Sequence, residues 1–176
     1  MGPRVDGADG PARRSRYRAA LVALDIVPRR KTRTIRQQYF IRASPKKVFK
    51  ALSDPERLAR WFADKAEVSG RKGGRYTLSW EDGPTHRGKL LEFRRGEKIT
   101  FAWEWEGIEG VGVTRFGLAV EPKGKGTLLR LTHAGIPKGE KWHELYAGAV
   151  WGWTYFMMNL KSVLEHGHDL RSKHDG

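Results

Sequence analysis

The sequence predicts an α+β domain in which an antiparallel sheet of about seven strands curves around one long C-terminal helix. Apolar and polar residues alternate along a succession of short segments, which is typical of strands with one buried face. Glycine-rich turns separate these segments. After Pro137 the apolar residues recur at helical spacing, from about Glu140 to His166. A sheet with one apolar face and a single long amphipathic helix bury each other when the sheet curls around the helix.

The sheet is predicted to begin near Thr34, with two short helices directly after its first strand. Residues 35–41 alternate between two faces, as a strand does. Ser44-Pro45 then offers an N-cap followed by a proline at the first helical position. Asp54-Pro55 repeats this signal and has an acidic residue, Glu56, in the first turn.

Six further strands are predicted before the long helix. The strongest alternation lies in residues 99–105, where large apolar side chains share one face. Glu104, with Glu106 just beyond, belongs to the opposite face. One side of the sheet is therefore expected to pack on a core and the other to meet water.

Composition excludes several classes of site. The chain of 176 residues contains no cysteine, so disulfides, zinc–thiolate sites and thiol catalysis are ruled out. Its apolar runs fall short of the roughly 18 residues that a membrane-spanning helix needs, so we expect no span. No secretory signal is recognised near the N-terminus, and a cytoplasmic location is expected.

The net charge of +14 is concentrated at the N-terminus. Residues 1–36 hold ten Arg/Lys and three Asp, a net of +7, so a fifth of the chain carries half of the excess. We expect a basic, disordered arm over residues 1–33, a domain over 34–167 and a flexible tail over 168–176. The arm is expected to make at most weak, non-specific contact with anions or nucleic acid.

Part of the arm has a helical pattern of its own. Tyr17, Leu21 and Leu24 recur at helical spacing before Pro28 interrupts it. This pattern fits a short amphipathic helix that docks on another surface. It equally fits a translation start placed too far upstream.

The predicted interior is rich in aromatic side chains and is the candidate ligand site. Such rings suit the wall of a pocket for a flat or aliphatic ligand, and they suit plain core packing equally well. The sequence leaves both interpretations open. The candidate pocket residues are Trp80, Phe101, Trp103, Trp105, Phe116, His133, Trp153 and Phe156.

No catalytic residue, metal or cofactor is predicted. His133 and His143 are possible general bases, but neither has a carboxylate partner at a readable spacing. The pair His166 and His168 lies at a helix end without a third ligand. The glycine-rich stretch 107–112 is not followed by a helix, so it lacks the helix N-terminus on which phosphate loops depend.

The order and spacing of several local motifs resemble the AHSA1-like family, related to the C-terminal domain of the activator of Hsp90 ATPase, within the SRPBCC, START and Bet v 1-like superfamily. The resemblance covers residues 34–166 and implies the helix-grip fold. The matching segments are Ala43 to Glu56 followed by Leu58 and Trp61-Phe62, then Gly73 to Tyr76, Gly88 to Glu92, Ile99 to Trp105, Gly126 to His133, and Gly152-Trp153 with Leu160.

The resemblance implies three kinds of function. The first, which we favour, is a non-catalytic binding module that holds a small hydrophobic or aromatic ligand between the sheet and the C-terminal helix. The second is a protein-binding accessory factor of the Hsp90 co-chaperone kind. The third is a small enzyme of the cyclase or hydrolase kind.

Overall fold

The computed structural model describes residues 30–171, and the arm pattern at Tyr17, Leu21 and Leu24 lies outside them. Within that range, seven strands and three α-helices follow the predicted order. They are β1 (Thr32–Ile41), α1 (Pro45–Ser53), α2 (Pro55–Leu58), β2 (Lys65–Val68), β3 (Arg75–Ser79), β4 (Thr85–Arg94), β5 (Lys98–Trp103), β6 (Thr114–Lys123), β7 (Gly126–Pro137), the 3-10 turn Glu140–Trp142 and α3 (His143–His166).

The strands form one curved antiparallel sheet in the order β1-β7-β6-β5-β4-β3-β2. Consecutive strands from β2 to β7 are neighbours, while β1 pairs with β7 along the whole of its length. The chain therefore leaves the sheet after β1, crosses through α1 and α2, and re-enters at the opposite edge. The predicted α+β fold, with an antiparallel sheet around a long helix, is confirmed.

The predicted helix starts are formed by side-chain caps. The Ser44 hydroxyl accepts a hydrogen bond from the backbone N–H of Lys47 at 3.3 Å. The Asp54 carboxylate accepts one from the N–H of Arg57 at 3.1 Å. These caps satisfy N–H groups that have no partner inside a helix.

Helix α3 packs into the concave side of the sheet and is tied to its β1 edge. Trp153, Met157 and Leu160 of α3 belong to the main hydrophobic core. The Gln37 side chain on β1 donates to the Val150 carbonyl at 3.2 Å and to the Thr154 hydroxyl at 3.0 Å. These hydrogen bonds fix the position of the helix along the sheet.

The segment 168–171, which the sequence analysis assigns to a flexible tail, folds back against the domain. Helix α3 ends at Gly167, whose φ of 69° is readily adopted only by glycine, and the chain reverses there. The buried Asn159 donates to the Trp61 carbonyl at 2.7 Å and to Asp169 at 2.9 Å. Arg171 donates to the carbonyl oxygens of residues 59 and 63, at 2.9 and 3.1 Å.

Asp169 is the centre of this arrangement. Burial by itself raises the pKa of its carboxyl, but hydrogen bonds from Arg171 and Asn159 outweigh burial and lower the pKa to about 2. Arg171 binds both carboxylate oxygens, with its closest contact at 2.7 Å. Residues 168–171 are therefore held by a charge-assisted pair at the surface of the domain.

Candidate functional site

A cavity of about 1700 Å³ opens between the ends of β3, β4 and β5 and the middle of α3. Its walls are mainly aromatic, and its outer edge is formed by exposed residues of the β3–β4 turn. It therefore communicates with solvent at one end. The aromatic and imidazole rings that line it are Phe62, Trp80, His86, Trp103, Trp105, Tyr155, Trp153 and Phe156.

The structure divides the predicted pocket residues into two groups. Trp80, Trp103, Trp105, Trp153 and Phe156 line the cavity. The other three were predicted as wall residues but do not line it. They are Phe101, Phe116 and His133.

These three residues are buried one layer deeper, behind the wall. Phe116 stacks on Trp153, with ring centroids 3.9 Å apart. Phe101 packs edge-to-face on Tyr76 at 4.9 Å. Both phenylalanines point inward, as alternation on a strand predicts, but Trp153 of the helix covers Phe116, and Phe101 is packed against Tyr76 and Phe116.

His133 supports the wall through hydrogen bonds. Its side chain is 0% exposed, and its Nδ1 accepts a hydrogen bond from the Trp153 indole N–H at 2.9 Å. Its Nε2 lies 2.7 Å from the hydroxyl of Thr114. The same hydroxyl accepts from the Trp105 indole at 2.9 Å and donates to the Trp103 carbonyl at 3.0 Å.

The direction of these bonds determines the state of His133. An indole N–H can only donate, so Nδ1 of His133 carries a lone pair, and the ring proton is on Nε2. The Thr114 hydroxyl gives its proton to the Trp103 carbonyl and can therefore accept from Nε2–H. Burial lowers the pKa of His133 to about 3, which agrees with a neutral ring. Two tryptophans of the wall are thus held by one neutral histidine and one threonine.

His86 lines the cavity and was not among the predicted site residues. It stacks on Trp103 with ring centroids 4.3 Å apart and meets Trp80 edge-on at 5.8 Å. Its Nδ1 lies 3.1 Å from the Glu104 carbonyl, which can only accept, so Nδ1 carries the proton and Nε2 a lone pair. Burial lowers the pKa of His86, while the bond to Glu104 and the charge of Glu106 oppose this shift.

The indole N–H groups differ in their availability to a ligand. That of Trp80 donates to the Phe62 carbonyl at 2.7 Å, and those of Trp105 and Trp153 are used as described above. Trp103 is 5% exposed, and its N–H has no hydrogen-bond partner within residues 30–171. Every fully buried side-chain polar atom in that range has a hydrogen-bond partner, so an N–H without a partner cannot be fully buried. The Trp103 N–H therefore keeps some accessible surface, in the cavity that Trp103 lines.

The outer part of the cavity carries charged side chains. Four carboxylates and two cationic residues line it. One of the two, Arg171, is already paired with Asp169. The carboxylates are those of Asp64, Glu81, Asp82 and Glu106.

The remaining histidine candidates do not form a site. His143 is exposed at the start of α3 and does not line the cavity. In the described part of the chain, no group of three or more His, Cys, Asp or Glu side chains is arranged to hold a metal ion. No helix between residues 30 and 171 has both the length and the apolar character needed to cross a membrane.

Comparison with known proteins identifies the family. The family model described as "Activator of Hsp90 ATPase homolog 1-like protein" matches residues 42–165, which is more than half of the chain. The chain belongs to this family. The AHSA1 match begins directly after β1 and stops one residue before the end of α3, so it includes every aromatic residue of the cavity wall but not Arg171. A comparison with curated proteins returns no significant match.

Solved structures of similar fold come from several bacteria. Protein MLL2253 from Mesorhizobium loti is 22% identical with a TM-score of 0.69, and the match covers 77% of this chain and 99% of that one. The Aha1 dimer from Colwellia psychrerythraea is 21% identical with a TM-score of 0.67, covering 77% and 98%. CalU16 from Micromonospora echinospora is 27% identical with a TM-score of 0.54, covering 73% and 75%. These solved structures confirm the fold.

Proposed function

We propose that this AHSA1 chain is a non-catalytic module that binds a small hydrophobic or aromatic ligand between the sheet and α3. The observation that carries the proposal is the open, aromatic-walled cavity. Its volume of about 1700 Å³ exceeds the roughly 300–1,000 Å³ of common ligand pockets. A flat ligand of ordinary size therefore has room, with part of the outer cavity left for solvent.

The chemistry of the wall supports an apolar ligand. The N–H groups of Trp80, Trp105 and Trp153 are already bonded to the protein, so these residues offer ring faces rather than donors. Ring faces suit stacked or edge-on contact with a flat apolar body. Because these hydrogen bonds exist before any ligand arrives, the wall is organised in advance, which lowers the entropic cost of binding.

The test is a panel of fatty acids, flavonoids and polyketide-like aromatic compounds. Binding is read by quenching of tryptophan fluorescence and by a rise in the thermal midpoint, because a ligand that binds only the folded state stabilises it. Native mass spectrometry of the protein purified from its own source shows whether a molecule accompanies it.

Two substitutions locate the site. Trp103→Ala removes a wall residue and should weaken binding by about tenfold or more. Phe101→Leu alters a residue behind the wall and should lower stability while leaving affinity within about twofold, because Phe101 does not line the cavity. If no compound of the panel binds the wild-type protein, the proposed function is wrong.

Catalysis is not part of the proposal. His86 is the residue on which an enzyme of the cyclase or hydrolase kind would depend, because its Nε2 lone pair makes it a potential general base in the cavity. The cytoplasmic location stays a prediction from the sequence.

A second candidate function is that of a protein-binding accessory factor of the Hsp90 ATPase activator kind. The observation in its favour is Trp151 of α3, which is 72% exposed and stacks on the half-buried Tyr155 with ring centroids 5.9 Å apart. The test is the ATPase rate of Hsp90 with and without this protein. Activation that Trp151→Ala abolishes and Trp103→Ala preserves would place the function on this helix face instead of in the cavity.

A further inference from the structure

We infer that the ligand of this cavity carries a positively charged nitrogen beside its flat apolar body, with the nitrogen at the acidic mouth. This inference rests on the proposed function and specifies the class of ligand. Three features of the cavity carry it: the sign of the charge at the mouth, the polar atoms left open in the wall, and the ring faces between them.

The mouth of the cavity is acidic on a strongly basic protein. Asp64, Glu81, Asp82 and Glu106 face it, against Lys65 and Arg171. Arg171 donates to both carboxylate oxygens of Asp169 and also lies 3.9 Å from Asp64, so its charge is shared by these two carboxylates, and Glu81, Asp82 and Glu106 remain against Lys65. The chain as a whole has a net charge of +14, so the local charge at the mouth is opposite in sign to the net charge of the protein.

The wall holds two polar atoms with complementary roles. The Trp103 N–H belongs to a side chain that is 5% exposed, and it opens into the cavity as a donor without a partner in the described chain. This N–H can donate a hydrogen bond to an acceptor atom on the ligand body. The His86 Nε2 carries a lone pair and accepts, so it suits an N–H of the ligand.

A cationic nitrogen fits between these features. Glu106 is close enough to His86 that its charge influences the imidazole, so the acceptor and a carboxylate lie on the same side of the site. The His86 ring stacks on Trp103 and is T-shaped to Trp80, so one face of Trp103 is already covered by the imidazole. Ring faces of the wall that stay open attract cations. An ammonium group at the level of Nε2 meets an acceptor and a carboxylate beside this aromatic wall.

Two other occupants of the mouth fit less well. An anionic ligand would bring its charge against four carboxylates, which disfavours binding. A metal ion would need ligands converging on one point, and within residues 30–171 no such group of side chains is found.

The test uses three probes with the same aromatic body: naphthylmethylamine, naphthylmethanol and naphthylacetic acid. Affinity is measured by isothermal titration calorimetry at neutral pH, where the amine is protonated. We expect the amine to bind about tenfold more tightly than the alcohol, and the acid to bind most weakly. The advantage of the amine should shrink at about 1 M salt, where the screening length falls to about 3 Å.

A charge-neutralised variant assigns this preference to the mouth. The triple variant Glu81→Gln, Asp82→Asn, Glu106→Gln should remove most of the difference between amine and alcohol. The matched control Glu67→Gln, Glu97→Gln, Glu144→Gln changes the net charge equally but alters residues that do not line the cavity, and it should keep the difference.

The outcomes distinguish failure of the cationic preference from failure of the proposed ligand-binding function. If the three probes bind equally, or the acid binds best, the cationic preference is wrong and the proposed hydrophobic-ligand function stands. If both triple variants lose the preference alike, net charge and not the mouth is responsible, and the inference is overturned. If none of the three probes binds while a compound of the ligand panel does, this inference is wrong and the proposed function stands; if the panel fails as well, both are wrong.

Discussion

At the scale of single residues, the tryptophans of the cavity differ in what holds them. Trp105 and Trp153 are bonded to Thr114 and His133, so their rings have fixed orientations. Trp103 is held by ring contacts with Phe116 and Trp153, without a hydrogen bond from its own indole. The first two residues therefore give the wall its shape, and Trp103 is the wall residue whose donor a ligand can use.

The position of Trp103 beside empty space predicts a moderate loss of stability in Trp103→Ala. A tryptophan packed on all sides costs about 3–5 kcal/mol when truncated, partly because a new void is created. One side of Trp103 already borders the cavity, so the expected cost is below this range. Trp61→Ala is the comparison, since Trp61 is 1% exposed and its N–H donates to the Ala51 carbonyl at 2.8 Å.

Urea denaturation of both variants measures these costs. Trp61→Ala should show the full cost of about 3–5 kcal/mol. Equal losses in the two variants would mean that the interior around Trp103 is solid in solution.

The buried neutral His133 predicts a pH dependence of stability. Its folded pKa of about 3 lies below the model value of 6.5, so the unfolded chain binds a proton in this interval that the folded chain does not. Stability rises with pH wherever the unfolded state binds more protons. The contribution is therefore complete above pH 6.5 and is lost as the pH falls toward 3, by up to about 1.4 kcal/mol per pH unit.

His133→Gln should flatten this profile, whatever its effect on stability at neutral pH. The lowered pKa of His86 acts in the same direction in both proteins, so the difference between their slopes isolates His133. His143→Gln changes an exposed histidine and should keep the wild-type slope. Parallel profiles for wild type and His133→Gln would contradict the assignment of a buried, neutral ring.

Sequence alternation predicts which way a side chain points, but not how deep it lies. Phe101, Phe116 and His133 point inward as predicted and still lie behind the wall, because the packing of Trp153 on Phe116 and His133, and of Tyr76 and Phe116 on Phe101, comes from the tertiary fold. His86 shares its strand face with Leu90, so the same alternation could have assigned it to the interior. What alternation cannot provide is the hydrogen bond to the Glu104 carbonyl, which comes from the neighbouring chain segment.

At the scale of elements, α3 has two aromatic faces with different surroundings. Trp153 is 6% exposed and belongs to the core, while Trp151, two residues earlier, is 72% exposed. Residues two apart on a helix lie on nearly opposite sides. The helix therefore completes the cavity wall with one face and presents the other to solvent.

This contrast predicts opposite effects for the two tryptophans. Trp151→Ala should change the free energy of unfolding by no more than about 0.5 kcal/mol, since little apolar area is buried there. Trp153 also borders the cavity, which lowers the cost of the void, but Trp153→Ala in addition leaves the buried His133 Nδ1 without its donor, so the total cost should reach about 3–5 kcal/mol. Chemical denaturation measures both, and a large loss in Trp151→Ala would show that its outer face is covered in solution.

Element types and order follow from the sequence, whereas several ends do not. The alternation of residues 99–105 predicts a strand through Trp105, but β5 ends at Trp103. β6 begins at Thr114, paired with Trp103, so no ladder partner remains for Trp105. Its inward position is kept by a side-chain bond to Thr114, and this bond has no signature in a period-2 pattern.

At the scale of the whole molecule, the N-terminal arm is expected to be separable from the domain. The chain divides into a unit at 1–31 and one at 32–176. We predict that deletion of residues 1–30 shifts the thermal midpoint by less than about 2–4 °C, because a change below about 1 kcal/mol has this effect in a domain of this size. Calorimetry of both proteins is the measurement, and a collapse of the midpoint would show that Leu21 and Leu24 dock on the fold.

Contact with nucleic acid, if any, is expected to depend on the arm. Residues 1–36, which include the arm, hold half of the excess positive charge, and contacts of the arm would be with phosphates and therefore independent of base sequence. Affinity for a random duplex should be weak and should fall steeply with salt in a fluorescence anisotropy titration. Tight binding of the duplex by a protein that begins at Thr34 would show that the domain, and not the arm, binds nucleic acid.

The return of the chain along residues 168–171 has a practical consequence for protein engineering. Arg171 lines the cavity, and the exposed His168 lies three positions before it. Three residues reach at most about 11 Å when extended. The sequence contains no cysteine, so His168→Cys would provide a single attachment point for a thiol-reactive dye close to the ligand entrance. A reporter dye at this position would register occupancy of the cavity.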